Sequence, residues 1–308
     1  MEADAAILIL NYNAGEALVR CLDSLAASDA RQLPILLVDN ASTDGSTRAA
    51  KAARPDVEIL QEPDNGGFAR GVNAGLRRLL RGRSRAILVL NPDTRVAPDF
   101  FAPLSRALAA GAVLCGPKLL LPGPPTRIWA AGGAATFGLN LCRLRGHGLV
   151  DRGQFDRAEE VSFLPGTTWL MARRLIEKVG LLDEGFFLYL EDLDYCLRAR
   201  AAGLSLWYEP SSRVEHFSSS SSGGGYTALR KYLNAFGSRR LLEKHATVRQ
   251  WVKFLLCDVL SLPLALGRGV LLGQTRAALW KLRGLIDGFR GRPLDPDLVA
   301  RLVRNGSP

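Results

Sequence analysis

The chain lacks a cysteine pattern. Its five cysteines (Cys21, Cys115, Cys142, Cys196, Cys257) are dispersed, with no CxxC pair and no metal-like spacing. An odd, scattered set on a chain of this length argues against a disulfide framework and for a reducing compartment. Histidine is scarce too, at three residues. No GxGxxG follows the first apolar run, which counts against a nicotinamide dehydrogenase. The N-terminus has no basic stretch before its short apolar run, and Asn11 ends that run, so it does not read as a signal peptide. The longest apolar stretch, Phe254 to Gly273, is broken by Asp258, Pro263 and Arg268; it suits an interface better than a membrane span. What remains is ordinary for a globular protein: 308 residues, 47% apolar and 23% charged, enough for one sizeable domain with an appendage or two modest ones.

The net charge of +10 is unevenly placed. Tyr226 to Pro308 holds 15 Lys and Arg against 5 Asp and Glu, so the preceding residues are neutral as a body. The composition is basic only in its last quarter, which weakens a nucleic-acid reading of the whole. The low-complexity Ser218–Gly225 stretch separates the two parts. The expected organisation is therefore residues 1–225 as the main domain and 226–308 as a basic amphipathic helical extension.

Apolar runs alternate with helical spacing from the start. Strands are expected at Ala6–Leu10, Ile35–Asp39, Val57–Leu60 and Ala86–Leu90, with helices at Glu16–Ser28, Ser46–Ala53 and Phe68–Arg81 between them. This rhythm implies an α/β fold with a mostly parallel sheet flanked by helices. Residues 1–121 then form one half, followed by an irregular Gly- and Arg-rich excursion over Pro122–Asp156. A strand at Ser162–Ala172 and a short helix at Arg174–Val179 come after it, in the second half, 122–225. Ligands in such sheets bind beyond the carboxyl ends of the strands. The loops there read NYNAG, DNASTDGS, PDNGGFARGVNAG and NPDT, and all four are rich in Asn, Asp and Gly. One such loop is turn chemistry; four on one edge make a polar pocket.

The ordered set DNASTDGS, NGGFARGVNAG, NPDT, EDLD and VEH resembles the family-2 glycosyltransferases of GT-A fold, in particular their rhamnosyltransferase-like branch, over about Ala5 to His245. The resemblance implies an inverting, metal-dependent hexosyltransferase that takes a nucleotide-diphosphate sugar, with a dTDP-rhamnose-like donor favoured. The acceptor would be a hydroxyl of a cell-surface glycan or a lipid-linked glycan. It places Asp39 at the nucleotide base, with Asn11, Tyr12, Asn13, Asn40 and Asp44 nearby; for Asp39 and Asp44 the alternative is a turn-forming role. Asn65, Gly67, Phe68, Arg70 and Asn73 belong to the loop and helix start expected at the diphosphate, whose backbone N–H groups suit an anion. Asn91-Pro92-Asp93 stands where the family carries DxD, which leaves Asp93 as the charged ligand of a Mg²⁺ or Mn²⁺ ion. His216 would complete that site, or else is a hydrogen-bonded structural residue. His147 and His245 have no such context and read as structural. Gly166, Thr167, Trp169 and Glu191 fall on the acceptor side, although Trp169 fits a sugar platform and a core position equally well.

Three acids crowd the start of a helix in FFLYLEDLDYCLRARAAG, residues 186–203. Helical spacing puts Glu191, Asp194 and Arg198 on one face, with an Asp194–Arg198 ion pair, and Leu193, Cys196, Leu197 and Ala201 on the core face. Asp192 belongs to neither face. The family's ED motif makes it the general base. The basic extension points to an anionic membrane surface, hence a cytoplasmic protein held peripherally on the inner face of the cell membrane. A helical cap or a homo-oligomer interface is the alternative for that extension, and RNA comes last. A catalytically silent nucleotide-sugar-binding scaffold of a polysaccharide assembly complex remains as the rival to the enzyme.

Overall fold

Continuous buried runs form the centre of the molecule, a computed structural model that describes residues 4–138, 140–217, 227–271 and 275–304. Four parallel strands come first: β1 (Ala5–Asn11), β2 (Ile35–Asp39), β3 (Glu58–Gln61) and β4 (Ala86–Leu90). They pair in the order β3-β2-β1-β4, with Ile7 opposite Ile35 and Leu8 opposite Val89. Every residue of β1, β2 and β4 is buried, as expected of parallel strands covered on both faces. Three helices connect them: α1 (Glu16–Ala26), α2 (Ser46–Ala53) and α3 (Gly67–Leu79). These first seven elements fall within a few residues of their expected bounds.

The glycines of α3 let it lie close on the sheet. A Cβ built on Gly75 would come 2.2 Å from Leu8 Cδ1 and 2.9 Å from Val38 Cγ2, so only a hydrogen fits there.

Beyond β4 the sheet turns mixed. Next in the chain come β5 (Thr94–Val96), α4 (Phe101–Ala109), β6 (Leu114–Leu121) and β7 (Arg127–Ala130). A separate two-stranded ribbon, β8 (Gly133–Ala135) with β9 (Cys142–Leu144), occupies the excursion. β10 (Glu159–Val161) and β11 (Thr168–Ala172) follow, then α5 (Arg173–Val179), α6 (Glu191–Ala201) and β12 (Leu206–His216). β11 runs antiparallel between β4 and β6, and β12 runs parallel to β6. The strand expected over Ser162–Ala172 thus begins only at Thr168. Pro165 has no N–H to give a ladder, and the Gly166 N–H is donated to Asp192 instead.

The C-terminal part is helical: α7 (Ala228–His245), α8 (Val248–Phe254), a π-helical turn at Leu255–Val259, α9 (Leu262–Leu271), α10 (Thr275–Phe289) and α11 (Pro296–Arg304). The boundary expected at Ser218–Gly225 lies outside the described residues. The helices share the body's core, since Leu241, Leu242, Phe254 and Leu285 belong to the same buried cluster as the sheet residues Leu8 and Met171. Asp183 also binds Arg240 and Lys244 across the same junction.

Helix α6 departs from its expected core face. Leu193 and Cys196 are buried as expected, whereas Leu197 is half-buried and Ala201 exposed; Tyr195 and Ala199 take their places. The helix is covered from two directions, by α7 at Asp194 and by the sheet at Tyr195, whose ring stacks on Trp169 with centroids 5.7 Å apart. A single apolar stripe cannot describe a helix buried on two sides.

Candidate functional site

The four polar loops gather at the carboxyl ends of the parallel strands, and much of their polarity is spent on holding one another. The Asn11 amide nitrogen lies 2.9 to 3.1 Å from the hydroxyls of Ser42, Ser46 and Thr47. Asn13 accepts the Thr43 N–H at 2.8 Å. Asp44 accepts from Gly15 N–H and from the backbone and hydroxyl of Ser46. Burial alone would raise its pKa, but these hydrogen bonds outweigh burial and hold it below the usual carboxylate range. Asp44 is thus bonded within its turn, and it stays exposed on the depression that Asp39 also lines. Asn73 is bonded to both polar groups of Leu182 and to Glu184, which ties α3 to the segment before α6. Asn40 donates to Asn65 Oδ1 and to Gly67 O, each at 3.0 Å. Arg70, expected at a diphosphate, is paired here with Asp64 and lies near Glu62.

Less committed groups remain on that edge. Tyr12 is half-exposed. Asp39 accepts the Ser42 N–H at Oδ1 and lines an open depression of about 790 Å³, whose other walls include Thr43, Arg48, Lys51, Ile59 and Gln61.

The second half of the site forms where β4 and β12 end and β11 and α6 begin. The Asn91 N–H donates to Thr167 O at 2.9 Å, which sets NPD against the Gly166–Thr168 turn. The Phe217 N–H donates to Asp93 O, and His216 stands opposite Thr94 in the sheet register. His216 Nε2 is 3.4 Å from Asp93 Oδ1, and both residues are buried. Trp129 meets the imidazole edge-on at 4.5 Å. Sequence reading passed over Trp129, because the excursion that carries it shows no periodicity. His216 Nδ1 is buried without a partner, so Asp93 is the carboxylate this imidazole faces. Nitrogen and oxygen donors at that separation fit two neighbouring ligands of a hard divalent cation. Among the described residues no group of three or more His, Cys, Asp or Glu is arranged to hold an ion.

The three acids of α6 separate cleanly. The chain enters the helix through two left-handed residues, Tyr189 (φ 69°) and Leu190 (φ 72°), an unfavourable backbone for side chains of this size. Glu191 is fully buried, and its Oε2 has no partner. Burial first, then the charges of Asp192 and Asp194, push its pKa well above the usual range, so it holds its proton. Asp194, also buried, bonds to Arg198 and His245, each at 2.8 Å, and to Lys244. Burial would raise Asp194, but these three partners lower it, so it stays ionised. His245 is thus a structural partner. His147 bonds the Trp129 carbonyl through Nδ1.

Asp192, like Glu191, has no cationic partner among the described residues, but it is held by the backbone. Its oxygens accept two backbone N–H groups, Gly166 at 3.1 Å and Leu193 at 2.8 Å. Burial raises its pKa, and those N–H groups only partly offset the rise. A Cβ on Gly166 would lie 3.3 Å from Asp192 Cβ and 3.5 Å from Phe68 Cζ, so α3, the Gly166 turn and the acid meet at one point. Trp169 is excluded from this mouth. It is fully buried, and its indole N–H donates to Leu164 O, which places it in the core and not under a sugar.

A family description now meets this geometry: the model for "Glycosyl transferase family 2" matches residues 6–180. The chain belongs to that family. It is 30% identical over 238 residues to an N-acetylglucosaminyl-diphospho-decaprenol L-rhamnosyltransferase of Mycobacterium tuberculosis, covering 70% of this chain and 77% of that one. Similarity extends to the dTDP-rhamnosyl transferase RfbF of Shigella flexneri, at 23% over 188 residues and 59% of each chain. In fold it is similar to the mannosyltransferase PcManGT of Pyrobaculum calidifontis, solved with GDP-Man and Mn²⁺, with a TM-score of 0.53, 14% identity, and 99% of this chain and 80% of that one covered. The expected GT-A sheet with flanking helices is the fold found.

Proposed function

We propose that this family-2 glycosyltransferase is inverting, and that it moves a sugar from a nucleotide-diphosphate donor to a hydroxyl of a glycan or lipid-linked acceptor. Asp192 acts as general base. The observation that carries the reading is the division of the α6 acids: Glu191 is buried with its pKa pushed well up, Asp194 is held down by three basic partners, and Asp192 is a partly buried carboxylate held, among the described residues, by backbone N–H groups. Such a carboxylate accepts the proton of the attacking hydroxyl. The acceptor oxygen bonds to the anomeric carbon as the bond to the diphosphate breaks, and the electron pair leaves with the nucleotide. The neighbouring carboxyls are Glu191, whose raised pKa favours the protonated form, and Asp194, which is tied to cations, so a single displacement with inversion is the reading that fits.

Asp39, Tyr12 and Asn91 are the groups offered to the nucleotide, and Asp93 with His216 would hold Mg²⁺ or Mn²⁺. When bound, the ion supplies charge stabilisation to the departing diphosphate. Rhamnose on a dTDP carrier is the favoured donor, because two relatives bear rhamnosyl names and one of them names dTDP. A lipid-linked acceptor is favoured because one of those relatives is named for a diphospho-decaprenol substrate. The basic C-terminal helices would bring the enzyme to the anionic membrane surface where such an acceptor resides. Among the described residues no helix is long and apolar enough to cross a membrane.

A thermal-shift panel of nucleotide sugars with and without Mn²⁺ tests the donor side, since a ligand of the native state raises its stability. A dTDP-sugar should raise Tm more with Mn²⁺ than without, and Asp93→Ala should remove that metal-dependent part. A panel with no nucleotide response, or a metal response that survives Asp93→Ala, would contradict the donor or the metal assignment respectively.

A further inference from the structure

The segment from α8 through α9 is apolar on two sides, and only one of them is covered. Phe254 and Leu262 are buried, and Trp251 and Val259 are half-buried against the body. On the other side Val248, Val252, Leu256, Leu260 and Leu264 recur every fourth residue, and all five are exposed, from 49% to 81% of their surface. Four residues over-rotate an α-helix by about 40°, so such a stripe would wind away within three repeats. Here the π-helical turn intervenes, with Leu260 N–H donating to Leu255 O at 2.9 Å, and its wider turn sets the rotation back. The stripe stays on one side. Exposed leucines at this density, and kept in line, mark a docking surface.

Charge identifies what docks. Between Ala246 and Pro293 the sequence has only two acids, Asp258 and Asp287. Both are buried and paired, Asp258 with Lys281, and Asp287 with Arg283 and Arg292. Among the described residues the outward side therefore shows no carboxylate beside its apolar groups and cations. On α10 and just past its end, Arg276, Leu279, Arg283, Ile286 and Arg290 alternate at spacings of three and four, and all are exposed. A second copy meeting this surface face to face would set cations against cations. An anionic bilayer offers phosphates to the cations and an acyl boundary to the leucines.

We propose that the exposed side of α8, the π-helical turn and α9 lies in the headgroup region of an anionic membrane, flanked by the cations of α10, and that it holds the acceptor side of the site toward that membrane. The proposal rests on the lipid-linked acceptor read above. The segment is tied to the body beside the site: Lys253 Nζ of α8 donates to Thr136 O at 2.7 Å, next to the β8–β9 ribbon, and Cys142 and Leu144 of that ribbon pack against the buried cluster that holds Leu193 and Cys196 of α6.

Co-sedimentation of the full chain with vesicles decides the matter. Wild type should bind phosphatidylglycerol/phosphatidylcholine vesicles and lose binding on pure phosphatidylcholine. The triple variant Val252→Glu/Leu256→Glu/Leu260→Glu should stay unbound, while keeping the nucleotide-dependent rise in Tm that shows an intact fold. Arg276→Gln and Arg290→Gln should each weaken binding about fivefold. Wild-type vesicle binding by the triple variant would overturn the proposal. So would a change from dimer to monomer by light scattering with vesicle binding untouched, which would make the stripe an interface between copies. Vesicle binding is read without any sugar donor, so a failed donor panel would remove the transferase reading and leave the docking result standing.

Discussion

At the residue scale, chemistry depends on three neighbouring acids having three different environments. Asp192 must be ionised to accept a proton, and its pKa is raised by burial. The active fraction therefore falls as pH drops through that raised value, and the acid limb of the transfer rate should lie above the titration of a free aspartate. Burial and the charges of Asp192 and Asp194 raise the Glu191 pKa well above the usual range, which favours its neutral form. Glu191→Gln keeps shape and neutrality, so it should retain most of the turnover with the acid limb in place, measured as kcat against pH. Collapse of kcat in that variant would mean that the Glu191 proton moves during reaction. The sequence showed where these acids are and which one Arg198 claims. It did not show Lys244 and His245 closing on Asp194, because those contacts come from a helix some fifty positions downstream.

At the element scale, the parallel half was readable because buried parallel strands are continuous apolar runs and the helices between them carry one apolar face each. The reading weakened wherever an element is covered on two sides. Helix α6 exchanges Leu197 and Ala201 for Tyr195 and Ala199, and the α8–α9 segment keeps leucines on both faces. Trp169 was undecidable for a related reason: a core platform and a sugar platform use the same side chain, and only burial separates them. Loop polarity is ambiguous in the opposite direction. Asp44 and Asn73 have the chemistry of ligands, and the structure shows both also bonding their own loops, because Asn and Asp bond turns as readily as they bond nucleotides. Helix α3 offers a direct check on the packing account. Gly75→Ala in an open helix should stabilise by up to about 1 kcal/mol. Against Leu8 and Val38 it should destabilise instead, and Gly75→Val should cost about 2 kcal/mol, in the range of overpacked cores. Urea unfolding of both variants checks this, and a stabilised Gly75→Ala would refute the close approach.

At the scale of the whole molecule, charge and chemistry are separated along the chain. The main body is neutral and carries the strand-end site, whereas the last quarter carries the entire +10. The helices holding that charge still belong to the same core as the sheet, so the strand-end site, α7 and the α8–α9 segment share one buried cluster. The account stands or falls on Asp192. The decisive measurement is sugar transfer by Asp192→Asn alongside calorimetric binding of the donor nucleotide in Mn²⁺. Transfer should fall by about 10³-fold, within the range a positioned general base contributes, while nucleotide affinity stays at the wild-type value. Turnover near wild type in that variant would contradict the assignment of the base, and with it the mechanism built on the division of the three acids.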